Sequence, residues 1–163
     1  LNASRIIDAM MRVTGLGYEE FDEAALSVPD AGGLRLIPYF EGERTPNLPE
    51  ATASLEGMTL SNCDRAHVAR ATIEGLLALM RGALDAVRAQ GVAVERVLLV
   101  GGGARSSAVR ALASEALGAT VEVPHPGEYV ALGAAMQAAT VEVSPPAFPR
   151  VEDGSARAGE TNV

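Results

Sequence analysis

Residues 97–107, with the sequence VLLVGGGARSS, constrain the fold of this chain more than any other segment. The first four are β-branched or leucine, a run typical of a strand that is buried on both faces of a sheet. Three glycines follow, and because they lack a Cβ they allow positive φ values and close approach of other groups. Ser106 or Ser107 is suited to cap the helix that comes next. The segment therefore predicts a strand, a turn and a helix N-terminus, an arrangement that offers backbone N–H groups to an anion such as phosphate.

Two common nucleotide-binding motifs do not fit this glycine turn, which we define as residues 101–105. A P-loop has a lysine after its last glycine, whereas Arg105 follows here and the chain contains no lysine. The dinucleotide fingerprint has a glycine three residues after its second glycine, and Ser106 stands at that position. The turn alone leaves two interpretations open, a phosphate site of another kind or a tight connection in an α/β unit.

Composition excludes several classes of protein. A chain of 163 residues predicts one domain, which can bury about 68–70% of its unfolded surface. With a net charge of −8 and scattered arginines the chain does not offer a nucleic-acid surface. Its apolar runs are too short to cross a membrane. The single cysteine, Cys63, excludes an internal disulfide and favours a reducing compartment, so we expect a cytoplasmic location.

The first part of the chain predicts two helices and two strands. Apolar spacing predicts helices over 3–13 and 18–26. A strand over 34–40 is confined to a sheet edge, or ends early, because of Pro38, and 53–59 predicts a weaker strand. The apolar face of the first helix comprises Ile6, Ile7, Met10 and Val13.

A long helix is predicted over 64–90, with Asn62 or Asp64 as its N-cap. Gly75 and Gly82 interrupt it at a cost of up to about 1 kcal/mol each relative to alanine, which indicates that each permits close packing against another element. The apolar face of this helix repeats in steps of three and four and comprises Val68, Ala69, Ile73, Leu76, Leu77, Met80, Leu84 and Val87.

The order β-α-β-α over 95–141 predicts two parallel strands joined by a helical crossover. After the glycine turn, a helix is predicted over 106–117, a strand over 120–123 and a helix over 128–141 that packs through its alanine-rich side. Residues 144–163 are rich in proline and small polar residues, which predicts a disordered tail.

Three segments in this order resemble the FGGY carbohydrate kinases, and the xylulokinases among them. Residues 38–47, PYFEGERTPN, resemble the family's PYLxGERTP loop, and residues 65–75 resemble its RAHxxRAxxEG helix. Residues 101–106, GGGARS, together with 131–135, ALGAA, resemble its nucleotide turn and terminal helix. The resemblance implies an α/β fold, the C-terminal, nucleotide-binding half of the actin-like, ribonuclease-H-like ATPase fold, formed by residues 1–143.

The resemblance also implies which residues contact a nucleotide. Within the glycine turn, Gly102, Gly103 and Ala104 would lie against the adenosine and α-phosphate of ATP or ADP, and Ser107 stands where family members often carry a polar residue close to the nucleotide. Residues 50–59 resemble the family's DARGxxxGL segment, whose first glycine borders ATP, although Ala53 stands in place of that glycine and Thr52 in place of the arginine. The implied contacts are Gly101, Gly102, Gly103, Ala104, Ser106, Ser107 and Ala53.

The family transfers the γ-phosphate of ATP to a sugar hydroxyl and uses an aspartate base and a Gly-Thr-Ser phosphate loop. The resemblance implies that the sugar here is a pentulose such as D-xylulose. The chain contains no Gly-Thr-Ser sequence and begins at Leu1 rather than Met. We therefore expect an N-terminally truncated kinase fragment with no catalytic residue, inactive alone, whose sugar site lies in a missing N-terminal domain. Mg²⁺ would be held mainly through the nucleotide and that domain. The alternative is a noncatalytic nucleotide-binding or regulatory module of the same fold.

Three smaller expectations follow. The missing strands would leave an open sheet edge, which favours a homodimer. Cys63 and His67, four residues apart, are too few to form a structural zinc site, so no metal ligand is predicted. In the 41–50 loop, Glu41, Glu43 and Arg44 either pair with one another in solvent or act at an interdomain cleft.

Overall fold

The structure is a computed structural model that describes residues 3–44, 46–125 and 127–140. The chain divides into two units, Leu1–Pro126 and Gly127–Val163. The predicted tail lies outside the described residues, and the domain boundary at residue 143 stays a prediction. The elements are α1 (Ala3–Thr14), α2 (Tyr18–Leu26), β1 (Arg35–Ile37), β2 (Ser54–Glu56), α3 (Arg65–Arg88), β3 (Arg96–Leu98), α4 (Ser107–Leu117), β4 (Thr120–Glu122) and α5 (Tyr129–Thr140).

Helix α3 is the centre of the first unit and contacts α1, α2, α4 and β1. Its buried side chains confirm the predicted apolar face as far as Leu77, whereas Met80 and Leu84 are half-buried and Val87 is exposed. The prediction for Val87 is wrong because the last turns of α3 extend past the core. The core is aliphatic apart from Phe21, which is fully buried.

The two glycines of α3 have different surroundings. A Cβ built on Gly75 would overlap the carbonyl oxygen of Leu36 in β1. A Cβ built on Gly82 would meet no atom within 4 Å. The expectation of close packing is therefore confirmed for Gly75 and wrong for Gly82.

Helix α1 buries Ile6, Ile7 and Met10 as predicted, but Val13 is 68% exposed. At about 100° per residue, Thr14 falls inside the arc between Ile6 and Ile7, and Val13 falls outside it. Thr14 is the buried residue in this turn, and its hydroxyl donates to the carbonyl oxygen of Met10 at 2.9 Å. An internal hydrogen bond of this kind satisfies the buried hydroxyl.

The described strands form two sheets of two strands each. Strand β1 ends before Pro38, as predicted, and pairs antiparallel with β2. Strands β3 and β4 are parallel and α4 crosses between them, which confirms the predicted β-α-β order. Only one face of the β3 region is covered, since Leu99 is 5% exposed while Leu98 and Val100 are 48% and 51% exposed. The prediction of a strand buried on both faces is therefore wrong, and the homodimer through an open edge stays a prediction.

The second unit is described over residues 127–140 and consists of α5. Every described residue of α5 is exposed, so the expected alanine-rich packing side covers no core in this unit. No helix in the described ranges is long and apolar enough to span a bilayer.

Asp64, rather than Asn62, caps α3. Its carboxylate accepts from the His67 backbone N–H at 3.0 Å and lies 2.7 Å from the His67 imidazole Nδ1. These two hydrogen bonds lower the pKa of Asp64 from 3.8. The buried Asn62 instead joins two backbone segments, because it accepts from Thr59 N–H and donates to the carbonyl oxygens of Gly32 and Gly57.

Asp64→Ala is expected to lower the free energy of unfolding by about 1 kcal/mol at neutral pH, because the cap is lost. Since the folded pKa of Asp64 lies below the unfolded value, the cap contributes its full stability above pH 3.8 and loses it as the pH falls through the folded pKa. Urea denaturation of both proteins across this range measures the difference. A difference that stays constant into strong acid would contradict the assignment, and Asp64→Ser, which retains a capping oxygen, should stay close to the wild type.

Candidate functional site

The backbone conformation at the first position of the glycine turn explains why a glycine stands there. Gly101 has φ 89° and ψ −170°, a conformation that only glycine adopts without strain. The chain then forms a short 3-10 helix, Gly102–Arg105, in which the Ala104 N–H donates to the Gly101 carbonyl oxygen at 3.2 Å. Within the turn, positive φ therefore requires glycine at position 101 and not at 102 or 103.

The next two glycines allow α1 to approach the turn. A Cβ on Gly102 would lie 3.3 Å from the Cβ of Ser4, and a Cβ on Gly103 would lie 3.1 Å from the Cβ of Ala3. Both distances are shorter than nine in ten real Cβ contacts, so α1 would have to shift slightly. Sequence reasoning missed Ala3 and Ser4, which are about 100 residues away in the chain. Their small size at the start of a helix is the one signal that the sequence carries.

A cavity of about 240 Å³ lies between α1, α3 and the glycine turn. Within the described residues, the N–H groups of Gly102 and Gly103 meet no backbone acceptor. The lining therefore combines the backbone of the glycine turn with apolar side chains, as small-molecule sites commonly do. Its lining residues are Ala3, Ser4, Leu76, Met80, Leu99, Val100, Gly101, Gly102, Gly103, Ala104 and Val109.

Ser106 and Ser107 join the turn to α4 and bind the carboxylate of Asp22 in α2. The Ser106 hydroxyl accepts from Val109 N–H at 3.0 Å, which confirms it as the N-cap, and donates to Asp22 Oδ1 at 2.6 Å. The backbone N–H of Ser107 donates to Asp22 Oδ2 at 2.6 Å, and its hydroxyl lies 3.1 Å from the same oxygen. The helix N-terminus at which the sequence predicted an external anion thus holds a carboxylate of the chain itself.

Arg110 fixes the other side of the glycine turn. Its guanidinium donates to the carbonyl oxygens of Ala104 and Arg105, at 2.9 and 2.7 Å. The carbonyl groups of Ala104 and Arg105 are therefore satisfied from α4, and residues 101–104 line the cavity.

The structure does not bring Ala53 to this cavity. Ala53 directly precedes β2, in the sheet with β1, and the lining of the cavity does not include it. Of the seven candidate residues, Gly101 to Ala104 line the cavity, whereas Ser106 and Ser107 lie beside it at the start of α4. Nucleotide contacts at these two serines and at Ala53 stay predictions.

A second, larger cleft of about 720 Å³ lies between α1 and the 38–49 loop. The guanidinium of Arg5 binds both carboxylate oxygens of Glu41, at 2.7 and 2.9 Å. Glu41 is thus paired across the cleft rather than with Arg44. Arg12, Glu43 and Arg44 also line this cleft, and a role for it between domains stays a prediction.

The described residues contain no group of three or more His, Cys, Asp and Glu side chains arranged to hold a metal ion. Cys63 is exposed, and the His67 imidazole is engaged by Asp64. No carboxylate lines the 240 Å³ cavity.

Comparison with known proteins places this geometry in a family. The family model described as the FGGY family of carbohydrate kinases, C-terminal domain, matches residues 4–141. A xylulose kinase of Haemophilus influenzae is 35% identical over 130 residues, which is 79% of this chain and 26% of that protein. The chain thus spans about a quarter of the length of this relative.

Solved structures agree with the sequence match. The crystal structure of xylulose kinase from Bifidobacterium adolescentis is 50% identical, with a TM-score of 0.74 over 83% of this chain and 27% of that one. Plasmodium falciparum glycerol kinase with ADP has a TM-score of 0.72 over 82% of this chain and 27% of that one, and at 22% identity it shows the fold alone. The described part is accordingly a mixed helix and sheet domain of the actin-like ATPase fold. The chain belongs to the FGGY family of carbohydrate kinases and represents the family's C-terminal domain.

Proposed function

We propose that this chain is the ATP-binding domain of a kinase that transfers the γ-phosphate of ATP to a hydroxyl of a pentulose such as D-xylulose. The observation that carries the proposal is the cavity at the glycine turn, in a chain whose family consists of carbohydrate kinases. The choice of a pentulose is supported by the relatives, since two of those compared above are xylulose kinases.

The proposed nucleotide contacts are the backbone of residues 101–104 and the apolar wall opposite. The N–H groups of Gly102 and Gly103 would donate to the α-phosphate, because they have no backbone acceptor within the described residues. The half-buried Met80 would pack against the adenosine. Ser106 and Ser107 would shape the turn from its α4 side. ADP would be held by the same contacts as ATP.

The residues at this cavity do not fit Mg²⁺, which prefers carboxylate, phosphate and water oxygens. No carboxylate lines the cavity, and Asp22 is already bound by the two serines. We therefore assign no metal ligand to the described chain and expect the ion to bind through the phosphates of the nucleotide and the sugar-binding domain.

Phosphoryl transfer also requires a carboxylate within reach of the attacking hydroxyl. The absence of one from the cavity lining supports a division of labour, in which this domain holds ATP and a separate domain holds the sugar and the base. Closure of the two domains would exclude water, so that the sugar hydroxyl rather than water attacks. We propose a cytoplasmic location for this enzyme, in line with its single cysteine.

The expected result for the isolated chain is ATP binding without phosphorylation of D-xylulose. A coupled assay for ADP release, with Mg-ATP and D-xylulose, should show no turnover above the buffer rate. Turnover that follows the chain through purification would contradict the proposed division of labour.

The alternative is a noncatalytic nucleotide-binding module of the same fold, which the carboxylate-free cavity also allows. Sequencing the gene upstream of Leu1 separates the two. A preceding domain with an aspartate and a Gly-Thr-Ser loop supports the kinase, and its absence supports the module.

A further inference from the structure

The carboxylate of Asp22 lies where the N-terminus of α4 would otherwise receive an anion. It accepts three hydrogen bonds, from the Ser106 hydroxyl at 2.6 Å, the Ser107 backbone N–H at 2.6 Å and the Ser107 hydroxyl at 3.1 Å. The residues are more than 80 positions apart in the chain, so tertiary packing of α2 against α4 creates the contact. Both carboxylate oxygens are used, and each binds a serine that the sequence had suggested as a nucleotide contact.

Among the acidic residues of α2, Asp22 is the one whose side chain reaches α4. Glu20 turns back to its own helix, where its carboxylate accepts from the Gly17 backbone N–H at 2.9 Å. Glu23 is exposed, whereas Asp22 is half-buried. The contact is therefore specific to one side chain, and Glu23 supplies a neighbouring acidic residue as a control.

This arrangement governs where a phosphate can bind. The N-terminus of an α-helix attracts anions through its N–H groups and its dipole. At α4 both serine hydroxyls and the Ser107 N–H point to a charged carboxylate, so a phosphate at the same place would lose these donors and meet a like charge. The N–H groups of Gly102 and Gly103 donate neither to Asp22 nor to a backbone acceptor among the described residues.

We propose that Asp22 is an internal anion that fills the N-terminus of α4, excludes ligand phosphate from Ser106 and Ser107, and leaves the backbone of Gly102 and Gly103 as the phosphate contact of the turn. Asp22 is thus a positioning residue, because it acts on the ligand through the two serines. The assignment of the phosphate to Gly102 and Gly103 rests on the proposed function, whereas the exclusion at Ser107 does not.

Titration of the full chain with inorganic phosphate, followed by amide-resolved NMR, tests the exclusion without a nucleotide. In the wild type and in Glu23→Ala, the Ser107 amide resonance should not respond at millimolar phosphate. In Asp22→Ala, it should shift saturably over the same millimolar range, because the helix N-terminus is then open to an external anion. A purely structural role of Asp22 would alter the spectrum before phosphate is added but would not create this response.

Two results would overturn the proposal, namely a saturable Ser107 response in the wild type, or a folded Asp22→Ala protein that gains none. If Asp22→Ala does not fold, Asp22→Ser, whose side chain is shorter and uncharged, provides the same test, and the wild-type titration still decides by itself. Comparing ATP with adenosine separates the two proposals. If neither ATP nor adenosine binds, the proposed function fails, and the phosphate titration still tests the exclusion. If ATP shifts the Ser107 amide resonance and adenosine does not, the exclusion of phosphate from Ser107 fails.

Discussion

Gly75→Ala is expected to lower the free energy of unfolding by about 1–3 kcal/mol, the usual range for overpacking a core. The new Cβ would overlap the carbonyl oxygen of Leu36. This neighbour is backbone in a paired strand and cannot rotate away as a flexible side chain would. Either α3 or β1 must move, and α3 also contacts α1, α2 and α4.

Gly82→Ala in the same helix is the matched control. Its Cβ would meet nothing within 4 Å, so the higher helix propensity of alanine should raise the free energy of unfolding by up to about 1 kcal/mol. Urea denaturation measures both variants, with an unchanged slope indicating that only stability has changed. Equal effects of the same sign would contradict the packing of α3 on β1.

Gly103→Val is expected to weaken ATP binding by at least about tenfold, which corresponds to about 1.4 kcal/mol. A Cβ at this position already lies 3.1 Å from the Cβ of Ala3, and valine adds two methyl groups beside it. The turn must move away from α1 or the side chain must enter the cavity, and either change removes the surface proposed to receive the nucleotide. Isothermal titration calorimetry with Mg-ATP measures the loss.

The control for this variant is Gly82→Val, which places the same side chain outside the cavity lining. It should retain the wild-type affinity, and circular dichroism should show both variants folded. Unchanged ATP affinity in a folded Gly103→Val protein would show that the nucleotide does not bind at the turn.

Local patterns in the sequence predicted most of the elements. The apolar spacing of α1 and α3, the break at Pro38 and the β-α-β order around the glycine turn each depend on residues within a few positions of one another. The segments that resemble a kinase family are likewise short and contiguous, and the family match over residues 4–141 confirms the identification.

The errors arose where burial depends on distant parts of the chain. Val87 has the right spacing but lies beyond the elements that cover α3, and Leu98 lies in an apolar run with one open face. Gly82 resembles Gly75 in sequence, and only the position of β1 distinguishes them. Periodicity shows which face of an element is apolar but not how far the covering layer extends.

The candidate site was only partly predicted, because some of its contacts are local in the sequence and others join distant parts of the chain. The glycine turn and the Ser106 cap are local and could be identified, whereas the approach of Ala3 and the carboxylate of Asp22 are tertiary contacts. An acidic residue in an amphipathic helix is ordinarily interpreted as solvent-exposed. Nothing in the sequence separates Asp22 from the glutamates beside it.

The measurement that tests the central claim most directly is an amide-resolved NMR titration of the full chain, first with Mg-ATP and separately with D-xylulose. We expect ATP to shift the amide resonances of residues 101–104 and of Ala3 and Ser4 on the opposite wall, and D-xylulose to shift none of them. Saturable binding of D-xylulose at these residues, or ATP shifts confined to other parts of the chain, would contradict the assignment of this domain as the nucleotide-binding part of a sugar kinase.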